Sequence, residues 1–155
     1  RWFTFAAYAK KSSKTPQSRY SLGVKLAKYY CNNSTLGGEQ MDKKQTEKMW
    51  REEKYHVMFH SQYHYNTIRA AMKKADYINV PSLISDALNT PPTPGSQRNA
   101  IMHMWGYFKK QATTEEKSKY QQLLQADKFD ALLLLLKNLA TKYDVRYLLE
   151  SRMLN

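Results

Sequence analysis

Between Lys43 and Lys74 the chain carries neither proline nor glycine. Within that stretch Met49, Trp50, Val57, Ile68, Ala71 and Met72 recur at helical spacing, and charges fill the intervening positions. The pattern predicts one long helix, bent near its tyrosine-rich centre. Ser82, after Pro81, predicts the N-cap of a short helix over 82–89. The stretch NTPPTPGS at 89–96 predicts a rigid connector, because its prolines fix φ and deny helix continuation. A second clear helix is predicted over Gln97–Gln111. Thr113-Thr114-Glu115-Glu116 is a capping-box signature, with Thr113 as cap and Glu116 reaching back, and opens a helix to about Ala126. Asp127 is placed to cap the next helix. Its Leu132–Leu136 run is apolar all round and is expected deep in the core. Tyr143-Asp144 breaks that helix, and Val145–Met153 reads as a last amphipathic one. With no strand-like alternation after Met41, the expected architecture is all-α, a single-domain bundle of five or six helices.

Residues 1–40 read differently. They have no sustained period: an aromatic opening runs into KKSSKTPQS, and CNNSTLGGEQ follows a short mixed segment. Charge separates them too. The whole chain of 155 residues has 25 Lys plus Arg against 13 Asp plus Glu, a formal net charge of +12. Seven of those basic residues (Arg1, Lys10, Lys11, Lys14, Arg19, Lys25, Lys28) and a single acid, Glu39, lie in 1–40, so half of the net charge sits in the first quarter. Codons for Gly37-Gly38-Glu39 can spell a purine-rich ribosome-binding site just upstream of Met41. The expected organisation is therefore a basic leader over 1–40, upstream of a natural start at Met41, and a helical domain over 41–155. A genuine basic extension is the alternative.

Composition narrows the classes. The basicity attracts nucleic acid, anionic nucleotides or an acidic partner. One cysteine, Cys31, excludes an internal disulfide framework and any all-cysteine metal cluster. The longest apolar run, Ala131–Leu136, is far short of the roughly 20 residues of a membrane span. A reducing, cytoplasmic setting with no membrane association is the expectation. There is no zinc finger, phosphate loop or RNA-binding sheet signature.

Candidate chemistry concentrates in two segments. His56, His60 and His64 form an i, i+4, i+8 ladder on the long helix. An i, i+4 histidine pair can chelate a divalent cation, whereas solvated or core-satisfied histidines are the plainer reading. No metal or cofactor is assigned. In NAIMHMWGYFKK, Asn99, His103 and Tyr107 share one face at i, i+4, i+8 spacing, and Gly106 lies beside it. A glycine there implies a close approach, by another helix or by a ligand. Tyr55, Tyr63 and Tyr65 interleave with Lys54 and the histidines, a mixture that can grip phosphates and stack bases.

The block EKYHVMFHSQYHYNTIR resembles the opening signature of the YbgA-like family, a bacterial and archaeal helical domain of unknown function. Lys54, Tyr55, His60, Ser61 and Tyr65 carry the match. The segment PPTPGSQRNAIMHMWGYFKK resembles its second signature through Pro92, Thr93, Asn99, His103, Gly106, Tyr107, Phe108 and Lys109. The ending YLLESRML is similar to its C-terminal block. Glu53 departs from the pattern, standing where the family often has histidine, and Phe59 replaces a small residue. His56 and His64 are not family positions, which directs attention to His60 and His103. The family occurs alone or fused to an iron–sulfur domain resembling thiouracil desulfurases, whose cysteines this chain lacks. The resemblance thus implies an accessory domain, with such a desulfurase-like domain as a partner and a nucleobase or nucleic acid as ligand. Lys54, Tyr55, His60, Ser61, Asn99, His103, Tyr107 and Lys109 are the candidate ligand-binding residues. Two alternatives stand beside this reading: an enzyme using His60 or His103 as general acid/base, and a purely structural interaction domain. Neither the reaction nor the oligomeric state follows from the sequence.

Overall fold

The computed structural model describes residues 42–155, and the leader expected over 1–40 lies outside the described residues. Among the described residues seven helices follow one another: α1 (Lys43–His60), α2 (Gln62–Lys73), α3 (Val80–Asn89), α4 (Pro94–Trp105), α5 (Thr114–Gln125), α6 (Phe129–Lys142) and α7 (Arg146–Leu149). No strand occurs among the described residues, so the fold is all-α. The extra helix has one cause. The predicted long helix is two helices, because Ser61 adopts an extended conformation (φ −157°, ψ 116°). Ser61 closes α1 through its N–H to the Val57 carbonyl and opens α2 by accepting from His64 N at 3.3 Å.

α1 is the central element. Asp42 starts it with a capping box, accepting from Gln45 N at 2.7 Å while the Gln45 side chain accepts from Asp42 N. One face of α1 sends Met49 and Val57 into a small core with Ile68 of α2 and Val80, Ile84 and Leu88 of α3. The other sends Tyr55, Met58 and Phe59 into a larger core with Ile101 and Met104 of α4, Tyr120 of α5, and Leu132 and Leu136 of α6. A helix buried on two faces shows no single apolar stripe, which is why its sequence reads as mixed.

Several expected boundaries move. α3 starts at Val80 and not at Ser82, and Pro81 fits its first turn, where a missing N–H is harmless. α4 starts at Pro94, capped by Thr93, whose Oγ1 accepts from Ser96 N at 3.1 Å, and it ends at Trp105 rather than Gln111. Thr113 caps α5 with Glu116 reaching back, as expected. Asp127 does not cap α6: it takes a left-handed φ of 50°, and its carboxylate pairs with Arg98. Of the leucine run, Leu132, Leu133, Leu135 and Leu136 are buried, but Leu134 is 60% exposed. The last predicted helix shrinks to the single turn α7.

Candidate functional site

Three chain segments meet at one open polar cleft of about 660 Å³. The α1–α2 junction supplies His60, Ser61 and Gln62. The proline connector supplies Thr90, Pro91 and Thr93. The first turns of α4 supply Ser96 and Asn99, and His103 stands at its far end. Helix ends build this geometry. The Ser61 break frees the end of α1, and Ser96 Oγ donates to the Phe59 carbonyl at 2.8 Å, tying α4 to that end. Asn99 Nδ2 donates to Gln62 Oε1 at 2.5 Å, tying α4 to α2. The lining holds no Asp, Glu, Lys or Arg.

His60 is the buried member, 6% exposed. Its Nδ1 lies 2.8 Å from the Thr90 carbonyl oxygen. A carbonyl only accepts, so Nδ1 carries the proton and Nε2 the lone pair in the neutral ring. Burial disfavours the imidazolium and takes the His60 pKa down from 6.5 to about 4. The Thr90 carbonyl opposes that fall, and the neighbouring His56 adds to it. His60 is thus neutral at pH 7. His103 is exposed at the cleft edge.

The eight candidate residues do not form one site. His60, Ser61, Asn99 and His103 converge on the cleft. Lys54, Tyr55 and Tyr107 gather elsewhere, around Tyr147 of α7. Tyr55 Oη donates to Tyr107 Oη at 3.2 Å. Tyr107 stacks on Tyr147 at 5.9 Å between centroids with 16° between planes, and Lys54 Nζ lies 5.4 Å from the Tyr55 ring centroid and 5.9 Å from that of Tyr147. Burial raises the pKa of the Tyr55 hydroxyl and, beside Arg69, lowers that of Lys54. The expected shared face of Asn99, His103 and Tyr107 fails because α4 ends at Trp105 and Tyr107 follows in a tight turn. Lys109 is exposed beyond that turn and lines neither group. Gly106 is exposed, and the group it approaches is its own chain and not another helix: an added Cβ would meet the His103 carbonyl oxygen at 3.0 Å.

The histidine ladder is broken by the same Ser61. His64 falls on α2, where Nδ1 sits 2.9 Å from Ser61 Oγ, while His56 and His60 remain edge-to-face on α1 at 5.3 Å. Among the described residues no cluster of three or more His, Cys, Asp or Glu could hold a metal ion. Among those same residues no helix is long and apolar enough to cross a membrane.

Sequence reasoning missed a buried polar group on α1. Glu53, 1% exposed, holds His56 Nδ1 at 3.0 Å on Oε2 and Arg152 Nε at 3.2 Å on Oε1. Two signals were present: Glu53 departs from the family pattern, and Arg152 lies in the matched C-terminal block.

These features define an all-α domain whose polar cleft is assembled from helix ends. Residues 54–155 match the family model described as "Protein of unknown function (DUF1722)", and the chain belongs to that family. No curated protein and no solved structure matches it.

Proposed function

We propose that this domain is an accessory, ligand-binding module that takes a nucleobase-type ring into the cleft between His60 and His103. One observation carries the reading. The two sequence blocks that resemble the YbgA-like signatures, 53 to 69 and 91 to 110, are distant in the chain yet both line one cleft. The lining suits a neutral heterocycle better than a phosphate. It offers hydroxyls, amides, imidazoles and backbone groups, and no fixed charge. His60 is neutral and held by the Thr90 carbonyl, so it adds no charge to the cleft, while the Asn99 amide and the exposed His103 imidazole offer donor and acceptor groups to a base edge. The separate Tyr107–Tyr147 pair with Lys54 over it is a stacking platform suited to a neighbouring base of a strand. An iron–sulfur desulfurase-like partner fits this reading, because such chemistry needs a module that presents a base.

Calorimetric titration with free nucleobases and with short single strands, at low and high salt, tests the proposal. Free bases should bind, and Asn99→Ala and His103→Ala should weaken them. Tyr107→Ala should leave free bases unaffected and weaken strands, since stacking is worth roughly 1–3 kcal/mol per base. Absence of binding by both ligand classes refutes the reading and leaves a structural interaction domain.

A further inference from the structure

His60 also borders a second, more enclosed cavity of about 440 Å³, whose wall includes His56. We propose that this cavity binds a neutral, ring-sized molecule bearing a weakly acidic O–H or N–H, and that His56 accepts that proton while Glu53 acts as its positioning residue. The inference does not rest on the cleft described above, because it uses neither Asn99 nor His103.

Geometry fixes the role of His56. Its Nδ1 lies 3.0 Å from Glu53 Oε2, and a carboxylate with Arg152 on its other oxygen accepts rather than donates. In the neutral ring Nδ1 therefore holds the proton and Nε2 the lone pair, on the side of the ring turned away from Glu53. No described residue hydrogen-bonds that nitrogen. Glu53 cannot swing out to solvent, because it is 1% exposed between α1 and the C-terminal segment. Arg152 is likewise fixed, its backbone N–H donating to the Glu52 carbonyl at 3.0 Å. His56 lines the cavity, and a buried carboxylate that orients one imidazole nitrogen and leaves the other without a protein hydrogen bond is the arrangement a general base needs.

The walls select the ligand. Phe59, Phe129 and Met153 offer apolar faces, and Gln97 offers one donor group and one acceptor. The charged groups at the wall are Asp127, paired with Arg98, together with Asp130 and Lys128. Arg98 neutralises Asp127, so the apolar faces set the preference, and the ligand enters neutral and ionises inside. In that step the ligand's O–H or N–H bond breaks and its electron pair stays on the ligand. The proton joins Nε2, and the resulting imidazolium faces the Glu53 carboxylate. The titratable groups facing His56 are thus Glu53 and His60 on its own helix, Arg152 beyond Glu53, and the wall charges named above.

4-Nitrophenol is the probe, because its phenolate is yellow and its neutral form is not. The full 155-residue chain is titrated at a pH where the free probe is mostly neutral. A saturable rise in phenolate absorbance is expected. His56→Gln should abolish it, and Glu53→Gln should weaken phenolate binding roughly tenfold, the worth of one hydrogen bond to a charged group. Asn99→Ala and His103→Ala should leave it unchanged, which separates this site from the cleft. No saturable rise, or a rise that survives in His56→Gln, overturns the proposal. Nitrogen-15 NMR of the wild-type imidazoles gives a test free of any folding defect. Neutral His56 protonated on Nδ1 supports the proposal, and protonation on Nε2 overturns it.

Discussion

Acidification from pH 7 to pH 4 should destabilise this fold through His60. In the unfolded chain the imidazole protonates near 6.5, whereas in the folded protein burial delays protonation to about 4. Between those values the unfolded chain binds more protons, so stability falls as pH drops through the window and is fully present above it. The interval corresponds to roughly 3 kcal/mol, lost completely once the pH is below 4. For a domain of this size 1 kcal/mol moves the melting temperature by roughly 3–5 °C, so the drop should be on the order of 10 °C. Thermal melts followed by circular dichroism at pH 7, 5.5 and 4 measure it, with His60→Asn as the comparison. An asparagine Nδ2 sits where Nδ1 sits and can still donate to the Thr90 carbonyl, but it does not titrate. The variant should be less stable at pH 7 and should lose far less between pH 7 and 4. Glu116 does not confuse the result. Lys142, the Thr113 N–H and the Tyr143 hydroxyl hold its carboxyl down at about 2, so its contribution is lost only between 4.5 and 2. Parallel stability curves for wild type and His60→Asn over pH 7 to 4 would refute the reasoning.

Ser61→Ala should cost roughly 1 kcal/mol in urea unfolding, since it removes the cap of α2. Leu136→Ala, at a fully buried position of α6, should cost about 2–5 kcal/mol, while Leu134→Ala, two residues earlier and largely exposed, should stay within about 0.5 kcal/mol; the same urea series measures both. Added zinc should leave the melting temperature of the 42–155 region unchanged, because no described cluster supplies three ligands; a zinc present at 100 times its dissociation constant would stabilise by roughly 2.7 kcal/mol and raise the melt plainly.

Helix content was legible in the sequence, and helix ends only where a side chain announces them. Thr113 and Glu116 form a capping box visible in the residues, and the structure closes it. Ser61 is the opposite case. Nothing in FHSQYHY is a strong breaker, and the 3.6-residue period carries across it, so periodicity alone predicts continuity. The break is set by tertiary contacts: the Phe59 carbonyl accepts from Ser96, and His60 reaches the Thr90 carbonyl, both partners at least thirty residues away in sequence. Similarly, Leu134 belongs to an unbroken apolar run, but a helix on the outside of a bundle keeps one stripe in water whatever its composition.

The candidate residues divided because the sequence groups side chains by spacing, and spacing fails at a helix end. Asn99 and His103 lie on α4 and keep their face. Tyr107 lies two residues past Trp105, the last residue of α4, and goes instead to Tyr55 and Tyr147. The residues that share the cleft are those whose backbones are fixed by caps: Ser61 for α2 and Thr93 for α4. A helix interior uses its own carbonyls, whereas an interrupted helix offers them to side chains from elsewhere. Phe59 and Thr90 do so here, and each recruits one residue of a matched block, Ser96 and His60 respectively. A site held this way places neutral hydrogen-bonding groups, and not charges, at fixed positions. Under the function proposed above, that favours recognition of a heterocycle's edge over capture of a phosphate, even in a chain whose net charge is +12.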